Sequence, residues 1–197
     1  MSKGRLEAFS DGVLAIIITI MVLELKPPHQ PELDALRPLA PALLCYLLSF
    51  VFVGIYWSNH HHLFQAVRRV NGGVLWANLH WLFWLSLVPL VTNWVGATNF
   101  SALPVAAYGM VLLLTGIAYN ILTRVLIALH GRQSALAVAL GRDFKGWISL
   151  LIYATAVPTA FVEPLISAGL YGLVAVIWLV PDRRIEKVIE EKTISGD

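Results

Sequence analysis

Two constellations in this 197-residue chain bring together residue types that could do chemistry. The first is Arg5-Leu6-Glu7-Ala8-Phe9-Ser10-Asp11, which runs straight into the apolar stretch Gly12 to Leu23 and stops at Glu24. The second is Trp57-Ser58-Asn59-His60-His61-His62. Lipid offers no partners to Ser10, Asp11 and Thr19, so a helix carrying them belongs in a bundle interior or along an aqueous path. Consecutive histidines raise a different chemistry, ligation of a metal or a haem, for which imidazole is a common ligand.

The histidine chemistry is the weaker of the two. The chain has six histidines, His29, His60, His61, His62, His80 and His130, and no glutamate accompanies the cluster. Neighbouring histidines on a helix point about 100° apart, which suits separate hydrogen bonds better than chelation. No metal or cofactor is therefore assigned and no catalytic residue is named. A membrane metal- or haem-binding oxidoreductase built on His60 to His62 is kept as the alternative function.

Arg5 and Asp11 are six residues apart, about 240° around a helix, so each is expected to reach a different neighbouring helix. Ser10 and Asp11 also have a plain reading as N-cap and first-turn acid, which leaves Arg5 and Phe9 unexplained. The expected role is a lock that fixes this end of the first helix, with Asn59, His60 and His61 as the opposing surface. His80 lies a little inside the third apolar span, where it is expected to be buried and hydrogen-bonded, with that cluster, Arg5 or Asp11 as candidate partners. His130 stands alone.

The elements that must position these residues are membrane helices. Hydrophobic residues make up 58% of the chain and charged ones 13%, with a mean hydropathy of +0.73, a composition foreign to soluble domains. Charge-free intervals and breakers predict an all-α fold with six spans, Ser10 to Lys26, Pro38 to Asn59, Gly73 to Val95, Leu103 to Leu126, Gly146 to Val162 and Pro164 to Pro181. Gly96, Asn99, Ser101 and Pro104 supply one turn and Glu163-Pro164 another. One membrane domain, residues 1–184, precedes a short charged tail, 185–197. The opening is expected to be a retained helix, since Glu7 and Asp11 flank it and no small-residue cleavage site follows.

Cytoplasmic N- and C-termini put twelve of the fourteen Lys and Arg inside and leave only Lys26 and Arg37 outside, a decisive positive-inside bias. Basic residues spread over flanking loops account for the net charge of +2 and leave a nucleic-acid role unsupported. Cys45 is the single cysteine and reads as a small packed hydrophobe. Trp76 and Trp94 are expected to anchor the two ends of the third span, and Trp81 and Trp84 to pack. Gly109, Gly116, Gly169 and Gly172 are expected to be close-packing points between helices. Neither an inverted repeat nor paired interrupted helices are expected, which argues against a coupled transporter.

Arg5-x-x-x-Phe9-Ser10-Asp11 at the start of the first of six spans resembles the signature of the transmembrane protein 175 family, potassium-permeable channels of lysosomes and prokaryotes. The resemblance implies a homotetramer in a prokaryotic cell membrane, because one copy of the motif is present, with the first helix lining the pore. It also implies a bulky aliphatic constriction at Ile16, a hydroxyl ring at Thr19, and Ile20 and Leu23 further along. Gly12, Ile16, Thr19, Ile20 and Leu23 share one helical face at a period of about 3.6 residues. A Thr-Val-Gly-Tyr-Gly filter is missing from the sequence, so the implied permeation of potassium is passive and weakly selective. Proton passage is left open. On residue chemistry alone, Thr19 has the simpler reading of a hydroxyl bonded back to its own i−4 carbonyl.

Overall fold

The computed structural model describes residues 2–28, 31–131, 134, 136–137 and 143–179. Helix α1 runs Lys3–Leu23, seven residues ahead of the expected start. Ser2 is its N-cap, the hydroxyl accepting from the Arg5 N–H at 3.4 Å, so Ser10 is an interior residue and not a cap. The helix ends where Pro27 disfavours helical backbone at Lys26. Leu6, Ser10, Leu14, Ile17 and Met21 are its buried residues, recurring every three or four positions as one inward stripe.

A 3-10 turn, Leu33–Leu39, leads into α2, Ala40–Gln65. The expected end at Asn59 is too early. Nothing between Asn59 and Gln65 breaks a helix, so His60, His61 and His62 occupy its last turns. Helix α3, Gly72–Ser86, starts at Asn71, whose Oδ1 accepts from the Val74 N–H at 3.0 Å. Helix α4, Val88–Ala97, follows after a break at Leu87. The expected third span is thus interrupted. Pro89 has no N–H to donate to the Leu85 carbonyl and its ring crowds that turn.

Asn99 and Phe100 turn the chain with φ of 49° and 58°, and α5 runs Ala102–His130. Helix α6, Phe144–Thr159, starts at Asp143, whose Oδ1 accepts from the Gly146 N–H at 3.0 Å. Helix α7 is Pro164–Leu179. The turn at Glu163-Pro164 is the expected one, with the Thr159 carbonyl taking the N–H of both Val162 and Glu163 at 2.9 Å. Among the described residues, counting α3 and α4 as one broken span gives the six expected spans. Helices α1, α2, α3–α4 and α5 are long and apolar enough to cross a membrane. Helices α6 and α7 have 16 residues each, about 24 Å at 1.5 Å per residue. The chain is a multi-pass membrane protein.

Helix α5 packs against α3, α4, α6 and α7, whereas α1 lies against α2, α3 and α4 alone among the major contacts. Two glycines set the α5 packing. A Cβ at Gly109 would collide with the ring of Tyr171, and one at Gly116 would press on Leu150. Tyr171 donates to the Val105 carbonyl at 3.2 Å, so its ring cannot simply move away. Gly96 has the same role against Ala42. Gly169 and Gly172 do not: among the described residues an added methyl would meet no atom within 4 Å. Gly109→Ala is therefore expected to lower the melting temperature of the detergent-solubilised protein by several degrees, about 1–3 kcal/mol of overpacking, while Gly169→Ala leaves it unchanged. Equal melting temperatures for the two variants would contradict this packing.

A buried polar cluster joins three helices: Ser49 Oγ lies 2.7 Å from Thr92 Oγ1 and 2.9 Å from Tyr108 OH. At one end of the bundle Leu6, Leu63, Phe64, Val74, Leu122 and Leu126 form a second apolar core. That end carries Lys3, Arg5, Arg68, Arg69, Arg124 and Lys145, and the other carries Lys26 and Arg37. The remaining basic residues of the charge argument (Arg132, Arg142, Arg183, Arg184, Lys187 and Lys192), together with His29 and the tail 185–197, lie outside the described residues.

Candidate functional site

The outward face of α1 is the complement of its buried stripe. Phe9, Gly12, Ile16, Thr19, Ile20 and Leu23 are all exposed, Ile16 at 58% and Leu23 at 79%. The expected shared face therefore exists and points away from the protomer. Thr19 Oγ1 donates to the Ile16 carbonyl at 2.9 Å, one residue short of the i−4 partner expected. With its proton used, the hydroxyl keeps its lone pairs for an electropositive partner. Ile16 and Ile20 also line an open groove with Val13, Ile17, Pro89 and Leu90. At its far end Asn93 Nδ2 donates to Glu24 Oε2 at 3.0 Å.

Behind this face α1 is fastened by a continuous polar chain. Ser10 Oγ donates to the Leu6 carbonyl at 2.9 Å and accepts from Asn78 Nδ2 at 2.9 Å. Asn78 Oδ1 in turn lies 2.9 Å from His60 Nε2. With the Asn78 amide assigned as donor to Ser10, its carbonyl oxygen must accept, so His60 carries its proton on Nε2. The His60 ring is clamped between Phe64 and Trp81, with centroids at 4.4 and 4.8 Å. Ser10, His60 and Asn78 are all buried, so the chain links α1, α2 and α3 where water cannot replace any member. A second link is exposed: Trp57 Nε1 donates to Asp11 Oδ1 at 3.1 Å, and His61 stacks on Trp57 at 6.1 Å.

These contacts sort the residues expected to lock the helix. Ser10, Asp11 and His60 are brought together across helices, and Asp11 reaches a neighbouring helix as expected. Arg5 does not. It is exposed, and among the described residues its guanidinium has no hydrogen-bond or ion-pair partner. Phe9 is exposed as well. Asn59 contributes its backbone carbonyl, which accepts from Tyr119 OH at 3.0 Å. His61 Nε2 accepts from Gln65 Nε2 at 3.0 Å. His80 departs from expectation: it is exposed on α3 and accepts from Trp84 Nε1 at 3.0 Å, one turn along its own helix. Helical geometry explains this, because Asn78 and His80, two residues apart, point about 200° apart.

Sequence reasoning missed Asn78, although the signal was there, an amide inside a span free of charged residues. It also missed His130, which is not alone. Its Nδ1 donates to the Leu126 carbonyl at 2.9 Å while Nε2 accepts the backbone N–H of Arg68 and Arg69 at 3.2 and 3.4 Å. His60 spends its Nε2 on Asn78 and His61 its Nε2 on Gln65, on different faces of α2. Among the described residues no group of three His, Cys, Asp or Glu converges as a metal site.

Comparison with known proteins adds to this geometry. The family model for the endosomal/lysosomal potassium channel TMEM175 matches residues 5–89, the part that holds α1, the polar chain and the break at Leu87. A potassium channel of Chryseobacterium sp. (strain P1-3) is 56% identical over 191 residues, 97% of this chain and 100% of that one. A potassium channel of Streptomyces collinus (strain DSM 40733 / Tue 365) is 31% identical, covering 89% and 91%. Among solved structures, the lysosomal potassium-selective channel TMEM175 homolog from Chamaesiphon minutus superposes with a TM-score of 0.79 at 27% identity, over 91% of this chain and 97% of that chain.

Proposed function

The chain belongs to the TMEM175 family of ion channels, not enzymes, and from that premise we propose that it is a passive, potassium-conducting channel of a prokaryotic plasma membrane, with cytoplasmic termini. The carrying observation is the exposed stripe Gly12, Ile16, Thr19, Ile20 and Leu23 on α1, an apolar face bearing one hydroxyl, that of Thr19, which the protomer leaves uncovered. Four copies arranged around an axis would turn this stripe inward. Ile16 then forms a ring without oxygens, which passes an ion only if it is wide enough to stay wet. Thr19, next along, offers oxygens whose protons already point to the Ile16 carbonyl. Selectivity from such a ring is modest, since it lacks stacked carbonyl oxygens.

Potassium-loaded liposomes test the reading. Reconstituted protein should discharge a potassium gradient faster than a sodium gradient, and a pH-sensitive dye in the same vesicles reads any proton passage. Flux equal to that of empty liposomes in every salt would overturn the channel reading.

Among the described residues the Arg5 guanidinium has no partner, and its proposed role is between copies. Arg5→Ala is expected to shift the solubilised protein from tetramer toward smaller species on size-exclusion chromatography with light scattering, with helical content unchanged. An undiminished tetramer would remove Arg5 from the assembly.

A further inference from the structure

The groove alongside α1 does not end on apolar residues. It runs from Ile16 and Ile20 to Glu24, whose carboxylate sits one turn beyond Ile20 on the same side of the helix. Asn93 on α4 holds one carboxylate oxygen at 3.0 Å, and among the described residues the other oxygen has no protein donor. A glutamate on a flexible stem is usually a diffuse surface charge. Tied to the rigid α4, this one has a fixed position at the rim of the proposed path. The C-terminus of α1 adds partial negative charge of the same sign at the same place.

We infer that Glu24, positioned by Asn93, is the residue that concentrates cations at the mouth where α1 ends, so that the pore favours cations over anions before any ion meets Ile16. The inference rests on the proposed pore formed by four α1 helices, which would set four such carboxylates in one ring. A fixed ring of negative charge raises the local concentration of the permeant cation and repels anions. Lys26, exposed two residues further on, is the opposing charge nearest in sequence. It lies beyond the end of α1 in the segment before Pro27 and among the described residues has no tether like that of Glu24.

The test is single-channel recording in planar bilayers of the full chain and of Glu24→Gln, which keeps an oxygen for Asn93 to bind. At about 0.1 M KCl, where charge reaches about 10 Å, Glu24→Gln should conduct roughly two- to fourfold less than the native channel. At about 1 M, where it reaches about 3 Å, the two should converge. Reversal potentials in a KCl gradient should show the potassium-to-chloride permeability ratio falling in Glu24→Gln. Asn93→Ala, which leaves the charge but frees it, should lose part of the same low-salt conductance, and Lys26→Gln should change it by less than Glu24→Gln does. Low-salt conductance and ion ratio unchanged in Glu24→Gln, while the native channel conducts, would overturn this inference and leave the channel reading intact. An effect of Lys26→Gln equal and opposite to that of Glu24→Gln, or no effect of Asn93→Ala, would replace the positioned carboxylate with diffuse surface charge. A native protein silent in every salt would overturn the channel reading, and this inference with it.

Discussion

Ile16→Asn is expected to raise unitary potassium conductance about tenfold and to bring the potassium-to-sodium permeability ratio close to one. In the proposed pore, four isoleucine side chains meeting at an axis would present only methyl and methylene groups, so an ion crossing the ring would lose water contacts and gain none. Asparagine has nearly the same reach but carries an amide that binds water and offers a carbonyl oxygen. Lowering the barrier at that ring by about 1.4 kcal/mol is enough for a tenfold change in rate. Discrimination falls for the same reason, because a hydrated ring no longer weighs one ion's hydration shell against another's. Folding should be spared, since Ile16 is exposed on the face of α1 opposite Leu14, Ile17 and Met21. Bi-ionic reversal potentials and unitary currents check both parts. Native values in Ile16→Asn would place the constriction elsewhere, with Ile20 and Leu23 next on the same stripe.

The parts of this molecule that were legible in the sequence are those governed by one-dimensional rules. Spans were readable because a bilayer demands long charge-free intervals, and the face of α1 was readable because helical period alone puts Gly12, Ile16, Thr19, Ile20 and Leu23 together. Helix ends were less so. Ser10 looked like a cap, but Ser2 supplied one earlier and nothing between them forbids helix. The break at Leu87 was available in principle from Pro89, yet a proline within a membrane span can kink a helix or stop it, and local sequence does not decide between them.

What the sequence hid was the pairing of side chains across helices. His60 and His80 are both polar residues near one end of the bundle, and only the rotation of α3 decides that Asn78 faces His60 while His80 faces outward. The same holds for Glu24, whose tether, Asn93, comes from a helix whose start was unknown until the break in the third span was seen. Arg5 is the instructive failure. The motif's spacing suggests an intramolecular lock with Ser10 and Asp11, but helical phase carries Arg5 to the exposed side of α1, where no partner meets it among the described residues.

The lock itself makes the final prediction. Asn78→Leu should destabilise the solubilised protein by about 2 kcal/mol, a change in the folded-to-unfolded ratio of roughly thirtyfold. Leucine fills nearly the same volume but leaves the His60 Nε2–H buried without its acceptor, which costs about 1–3 kcal/mol. Ser10 suffers less, because its hydroxyl still donates to the Leu6 carbonyl. A double variant isolates that asymmetry. His60→Phe combined with Asn78→Leu removes both ends of the bond and keeps an aromatic ring between Phe64 and Trp81, so much of the loss should be regained. Thermal melts followed by size-exclusion chromatography measure both proteins. A double variant less stable than Asn78→Leu alone would mean that His60 contributes something other than this bond. Native stability in Asn78→Leu itself would show that α1 is held by its apolar stripe, Leu6, Leu14, Ile17 and Met21, with the polar chain a passenger.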